Sequence, residues 1–211
     1  MNPPESLPAK MFLLAFDLPH QRLPARDELG YTLRAAALAA LVLNGQLRDE
    51  DGKAAVAGKP PDTDPVLDEL WHAIEADPSR SWRRWVERGR KQTFDAVRDQ
   101  HLNAHVIKAE RERFLGLFPY TRFTVRDTRT ARRVADEVSR AIRGGQAASR
   151  VGQEVAALAA LAAAGQMRVV LNGRDRHQYR TRLDRFGEPI QPVVHALQRA
   201  IRTKRAAASG G

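Results

Sequence analysis

The sequence contains no cysteine and no apolar run long enough to cross a bilayer. Without cysteine, a disulfide framework and a cysteine-ligated metal site are both excluded. The longest apolar stretches, 35–43 and 155–165, fall well short of the roughly 20 residues that a transmembrane helix needs. The N-terminal segment has no cationic stretch ahead of an apolar one, so we expect no secretory signal. These absences predict a cytoplasmic protein that meets a membrane only from its surface.

Acidic residues are in the minority. The chain has 35 Lys and Arg against 25 Asp and Glu, which gives a formal net charge of +10. Such a surplus attracts polyanions, which include nucleic acids, anionic membrane surfaces and acidic proteins. Arginine is the more frequent cation, and its planar guanidinium can bind phosphate through two parallel hydrogen bonds. A GC-rich genome would also enrich arginine, so composition alone leaves the kind of partner open.

Sequence motifs of catalysis are also missing. Neither a glycine-rich phosphate loop nor a GxSxG nucleophile elbow occurs. His101 and His105 have the spacing of two metal ligands on one helix face, but no third ligand accompanies them as in HExxH. Asp64 precedes Pro65 and is explained as a helix N-cap. We therefore expect a protein that is not an enzyme and that needs neither a metal nor a cofactor.

Hydrophobic periodicity predicts a mainly α fold with two small β-hairpins. The predicted single domain spans residues 6–205, with flexible tails at 1–5 and 206–211. Helices are predicted at 7–16, 28–43, 65–76, 81–88, 93–111, 128–143, 150–166 and 192–204. Hairpins are predicted at 46–57, where Asp51-Gly52 would form the turn, and at 114–125.

Six short strings between residues 6 and 165 are typical of one known family. They are Met11–Asp17, Leu33–Leu47, Asp64–Glu69, Trp85–Glu87, Ala96–Asp99 and Phe114–Pro119. In this order and at this spacing they resemble the Golgi phosphoprotein 3 family, in a bacterial, actinobacterial-type form. The resemblance implies a helical bundle wrapped by amphipathic helices. It also implies that a protruding hairpin assists self-association into an oligomer, here through Leu115, Leu117, Phe118 and Tyr120.

The same resemblance implies recognition of phosphatidylinositol 4-phosphate on a flat basic face, as a peripheral protein at the inner membrane face. The family pocket uses a tryptophan before the long helix, an arginine within it, and two arginines three residues apart on a later helix. Arg34 and Arg98 match the first and last of these arginines. The tryptophan position falls near Ala25, and the remaining arginine falls on Asp95. We expect Arg22 and Arg26, in the loop before the long helix, to replace part of what is missing.

Each of these signals has a second interpretation. Arg34 could pair with Asp95 and join two helices, because a cation in an apolar helix needs a partner when it is buried. The string Trp82–Lys91 could meet a membrane interface or single-stranded bases, or it could pack its tryptophans inward. The last helix carries basic residues on an amphipathic face, and it could lie in a lipid interface or be solvated. These basic residues are Arg199, Arg202, Lys204 and Arg205.

The alternative function is nucleic-acid binding, for which +10 would serve equally well. A lipid-binding protein should gather the basic residues near Arg22–Arg34 and Arg98 on one flat face. A nucleic-acid-binding protein should instead present a groove along Arg174–Arg185. A third alternative, a protein–protein adaptor, predicts no flat basic face at all.

Overall fold

Helices form most of the chain, and two small antiparallel hairpins complete it. The computed structural model describes residues 5–62, 64–114 and 118–209. The helices are α1 (Leu7–Leu14), α2 (Arg26–Leu43), α3 (Pro65–Ala76), α4 (Trp82–Glu87), α5 (Arg90–Asn103), α6 (Thr128–Arg143), α7 (Gln153–Ala164), α8 (Gly173–Gln178), α9 (Arg180–Gly187) and α10 (Gln191–Ser209). The strands are β1 (Leu47–Glu50), β2 (Lys53–Val56), β3 (Ile107–Phe114) and β4 (Phe118–Val125). The prediction of a mainly α single domain with two hairpins is confirmed.

Helix α2 is the centre of the core. Its middle, from Leu33 to Leu41, is buried on every side, and most of these residues are alanines. Alanine has no side-chain conformational entropy to lose, and its small size lets neighbouring helices approach closely. Helices α1, α3, α4, α5, α7 and α10 all pack against α2. The second alanine-rich helix, α7, is buried in the same core.

Several local features follow from short sequence signals. The β1–β2 turn places Asp51 and Gly52 at φ +51° and +80°, the left-handed pair of a type I′ hairpin. Asp64 accepts a hydrogen bond from the backbone N–H of Val66 at 2.8 Å, which confirms the predicted N-cap of α3. The amphipathic helix predicted at 128–143 is α6, with Val134, Val138 and Ile142 buried.

The prediction of a helix from 93 to 111 is wrong in its second half. Helix α5 ends at Asn103, His105 adopts a left-handed φ of +57°, and β3 begins at Ile107. The residues of β3 after Ile107 are mainly Lys, Ala, Glu and Arg, which favour helix by propensity. Pairing with the aromatic and β-branched strand β4, from Ile107↔Val125 to Phe114↔Phe118, overrides that preference.

The β3–β4 hairpin contains the residues expected to assist self-association. Leu115 and Leu117 lie outside the described residues, as does the side chain of Phe118. Tyr120 is exposed, and its hydroxyl donates a hydrogen bond to Glu112 across the hairpin. The association itself stays a prediction.

The C-terminal part is more helical than expected. Residues 174–185, predicted only as a basic segment, form most of α8 and α9. Helix α10 continues past its predicted end at Lys204 to Ser209, so residues 206–209 are helical rather than a tail. Among the helices that the structure describes, none combines the length and the apolarity needed to span a bilayer.

His101 is the one fully buried histidine in the described chain. Its Nε2 donates a hydrogen bond to the Ala9 carbonyl at 3.0 Å, and its ring stacks on Phe12 with a centroid distance of 5.2 Å. Burial lowers the pKa of His101 from 6.5 to about 4, because a charged imidazolium would lose its hydration. The histidine therefore acts as an apolar core residue with one satisfied donor.

We expect His101 to make the fold acid-sensitive. Unfolding would raise the pKa of this imidazole from about 4 to its ordinary 6.5, so the unfolded state binds more protons between these values. Stability should fall as the pH drops from 6.5 towards 4, by on the order of 3 kcal/mol in total. Urea unfolding across this range should show a clearly weaker pH dependence for His101→Gln than for the unchanged protein. The control His177→Gln changes an exposed histidine with no ion-pair partner among the described residues, and equal slopes for this variant and His101→Gln would contradict the prediction.

Candidate functional site

A basic groove opens where the N-terminal turns of α2 and α5 meet the C-terminal turns of α10. Its volume is about 610 Å³. We call it the basic groove, and its walls are formed by Arg26, Asp27, Gly30, Tyr31, Glu87, Arg90, Lys91, Phe94, Asp95, Ala200, Thr203, Lys204 and Ala207. The α10 residues recur at i, i+3, i+4 and i+7, so one face of that helix forms one wall.

Two helices begin at this groove without a side-chain cap. Helix α2 follows Ala25, at φ +50°, and α5 follows Gly89, at φ +75°. The first N–H groups of a helix have no partner within the helix, and the aligned peptide dipoles place a partial positive charge there. Both effects favour an anion, and here two helix N-termini share one groove.

Cationic side chains reinforce these helix ends. The Arg90 guanidinium lies 4.6 Å from the centroid of the Tyr31 ring, and the Lys204 Nζ lies 5.9 Å from it. Arg90 also donates from Nη1 to the Glu87 carbonyl at 3.0 Å, which fixes its position. Tyr31 thus holds two cations at the groove by cation–π interaction.

The groove also contains carboxylates, which cations outside it neutralise in part. Glu87 accepts a hydrogen bond from Arg83 at 2.8 Å, and Asp95 accepts one from Arg98 at 2.5 Å. Asp27 pairs with Lys204 at 3.3 Å, but its side chain is 92% exposed, so this ion pair contributes little. The walls contain four cations and three carboxylates, and Arg83 and Arg98 offset two of these carboxylates from outside the walls. The groove therefore keeps a positive surplus.

Arg34 lies one turn deeper on the α2 face that carries Gly30 and Tyr31. The residue is only 6% exposed. Its Nε donates to the Trp85 carbonyl and its Nη1 to the Thr93 hydroxyl, both at 3.2 Å. Burial lowers the pKa of Arg34 to about 10, so the guanidinium stays charged at neutral pH. The alternative in which Arg34 pairs with Asp95 is wrong, because within the described residues no carboxylate lies within 4.0 Å of its guanidinium.

The other predicted headgroup residues are engaged by neighbours. Arg98 donates to Asp95 and Asp99 of its own helix, and the hydrogen bond to Asp99 is the main reason why its pKa is raised. Arg22 pairs with Asp17 at 2.9 Å in the loop before α2. Of the four arginines that the sequence suggested, the structure places only Arg26 in the wall of the groove.

Arg26 joins the groove to the β3–β4 hairpin. Its Nη2 donates to the Thr121 carbonyl at 2.7 Å, and its guanidinium lies 4.8 Å from the centroid of the Phe123 ring. These contacts hold the start of α2 against β4.

The aromatic and basic string at 82–91 divides into two parts. Trp82 and Trp85 are buried, and Trp82 Nε1 donates to the Asp49 carboxylate, which confirms the alternative that packs both tryptophans inward. Arg90 and Lys91, at the other end, line the groove.

Sequence reasoning missed Tyr31 as a site residue. The available signal was its position four residues after Asp27 and three before Arg34, which places all three on one helical face.

Comparison with known proteins identifies a family. The family model described as Golgi phosphoprotein 3 (GPP34) matches residues 7–203. No curated protein matches the chain.

We expect Gly89→Ala to destabilise the protein more than its backbone conformation alone requires. A Cβ at Gly89 would meet Arg34 Nη2 at 3.0 Å, and φ there is +75°. The control Gly52→Ala has a similar φ of +80°, but nothing lies within 4 Å of its Cβ position. Each substitution should cost about 1–2 kcal/mol for the left-handed backbone, and Gly89→Ala should cost more because Arg34 must move.

Urea denaturation of both variants tests this expectation. An additional Arg34→Ala substitution should remove the excess cost at Gly89 and leave the cost at Gly52 unchanged. Equal destabilisation by the two glycine variants would show that Arg34 does not sterically restrict a side chain at position 89.

Proposed function

Because the chain belongs to the Golgi phosphoprotein 3 family, we propose that it binds the phosphorylated headgroup of an anionic membrane lipid in the basic groove. The observation that carries this proposal is the convergence of two uncapped helix N-termini with Arg90, Lys91 and Lys204. The lipid that family membership suggests is phosphatidylinositol 4-phosphate. In this proposal the protein acts at the inner membrane face from the cytoplasmic side.

The groove suits a phosphate monoester for electrostatic reasons. Such a group carries about −1.5 to −2 charges at neutral pH and accepts several hydrogen bonds. Each charged hydrogen bond contributes roughly 1.5–3 kcal/mol, and each basic residue near an anionic surface contributes about 1 kcal/mol. Arg90 and Lys204 are already held by Tyr31, so less side-chain entropy is lost on binding than with free side chains.

We propose binding without catalysis. The polar groups that line the described groove are cations, carboxylates, one tyrosine and Thr203. Neither a histidine nor a cysteine is among them, and no hydrogen bond joins Thr203 to a carboxylate that could act as its base. The donors and cations of the groove can hold an anion, but they form no nucleophile–base pair.

Nucleic-acid binding along Arg174–Arg185 is the less favoured candidate. Arg176 donates to the Leu171 carbonyl at 2.8 Å, and Arg182 donates to the carbonyls of Ala141 and Gln146, both at 2.6 Å. These guanidiniums hold α8 and α9 against their neighbours. A phosphate backbone would have to compete with these contacts.

The double variant Arg90→Glu/Lys91→Glu should weaken binding to phosphatidylcholine vesicles that contain phosphatidylinositol 4-phosphate by about tenfold or more. The reason is that two exposed cations at the α5 N-terminus are replaced by anions. Co-sedimentation measures the effect, with phosphatidylinositol and cardiolipin vesicles in parallel and duplex DNA as competitor.

The matched control is Arg132→Glu/Arg133→Glu, which changes the net charge equally on the exposed face of α6, outside the groove. It should reduce binding far less, and circular dichroism should show both variants folded. Equal losses in both variants, for every anionic vesicle and for DNA, would show a general polyanion surface and contradict the proposed site.

Asp95→Arg should strengthen binding to the same vesicles, by about tenfold. Asp95 lies in the wall of the groove at the position of a family arginine, so the change removes an anion and adds a guanidinium there. Asp99→Arg is the control, because it makes the same charge change on α5 and also removes a hydrogen-bond partner of Arg98, but outside the groove. Equal gains from the two variants would mean that total charge decides the affinity.

A further inference from the structure

A second, smaller cavity lies on the opposite face of α2 from the basic groove. Its volume is about 280 Å³. We call it the apolar cavity. Its apolar walls are formed by Ala15, Pro24, Ala25, Leu29, Met167 and Val169. Glu28, Thr32, Gln166, Arg168 and Arg205 supply its polar groups, and Gly165 completes it.

The groove and the cavity share the same two helices. Along the first turns of α2, Arg26 and Asp27 line the groove, whereas Ala25 and Glu28 line the cavity. On α10, the neighbours Lys204 and Arg205 divide in the same way. A molecule that occupied both would have to pass around the N-terminal turn of α2, over a span of about 10 Å.

The polar groups of the apolar cavity are largely occupied. Arg205 donates from Nε and Nη2 to the two carboxylate oxygens of Glu28, at 2.9 and 2.8 Å. The same guanidinium donates to the Gln166 side-chain oxygen. The Thr32 hydroxyl donates to the Glu28 carbonyl at 3.2 Å. The surface left for a ligand is mainly apolar, so a hydrocarbon chain fits it better than a peptide, whose backbone would need polar partners.

Val169 stands at the entrance of the apolar cavity. It is 42% exposed, and Tyr120 is the other large hydrophobic residue that is comparably exposed in the described chain. Val169 follows the exposed Arg168 in a turn after Gln166, whose φ is +54°. A cation beside an exposed apolar side chain matches the border between phosphate and acyl chain in a phospholipid.

We propose that the apolar cavity receives the first methylene groups of an acyl chain from the lipid whose headgroup occupies the basic groove. This inference rests on the function proposed above. The lipid straddles the first turn of α2, with its phosphate towards the groove and one chain past Val169. Binding of the chain adds affinity to that of the headgroup, because each methylene group leaves water.

Isothermal titration with two soluble probes tests the inference. One probe is dihexanoyl phosphatidylinositol 4-phosphate below its micelle concentration, and the other is the deacylated glycerophosphoinositol 4-phosphate. The acylated probe should bind about tenfold more tightly, since burial of two or three methylene groups suffices for that ratio. Val169→Asn should bring the ratio close to one without changing the affinity for the deacylated probe. Val169→Leu, which keeps an apolar entrance, should preserve the ratio.

The outcomes separate the two proposals. If the deacylated probe binds and acylation adds nothing, or if Val169→Asn weakens both probes equally, the acyl-chain site is refuted while the headgroup site stands. If neither probe binds the unchanged protein, the headgroup site is refuted and the acyl-chain site falls with it. Thermal unfolding of the two variants, whose changed side chain is exposed, should match that of the unchanged protein.

Discussion

Close packing around the alanine-rich helix α2 determines where the other helices can lie. Because its side chains are small, each neighbouring helix meets α2 near its backbone, where displacements are poorly tolerated. Arg34 places a buried charge in this layer. Its hydrogen-bond acceptors are Trp85 in α4 and Thr93 in α5, so the requirement to satisfy a buried guanidinium fixes the start of α5 against α2. The two helix N-termini of the basic groove are therefore held in place by the core.

This arrangement places Arg34 below the basic groove rather than in its wall. It donates two hydrogen bonds below the groove and lies against the backbone of Gly89, the residue that precedes α5. Its charge still raises the electrostatic potential of the groove, because a buried cation is screened less than an exposed one. In the same way Arg98 acts on the groove through Asp95, whose negative charge it offsets. Arg34 and Arg98, the two arginines that match the family pattern, thus lie outside the walls of the groove and act on it electrostatically.

The sequence predicts more of the fold than of the candidate site. Periodicity and turn residues suffice for α2, α6 and the β1–β2 hairpin, because those signals are local. They fail at β3, where the preference of Lys, Glu and Arg for helix is overridden by pairing with β4. The site depends on contacts between side chains, which the spacing of residues in the sequence does not show. Tyr31 contacts Lys204, which lies near the other end of the sequence. Whether Arg98 faces a ligand or Asp99 depends on side-chain geometry.

Three of the arginines that the sequence suggested are engaged by the protein itself, which bears on how the groove could select an anion despite the large positive charge. Arg22, Arg26 and Arg98 donate to protein acceptors, so a diffuse polyanion would have to compete with those bonds. The groove instead lies at the first turns of two helices without side-chain caps, and its cations Arg90 and Lys204 lie against Tyr31. Fixed donors favour a compact anion of matching shape over an extended one, because only the compact anion meets several of them at once. Under the proposed function, geometry rather than the number of basic residues would decide which anion the groove binds.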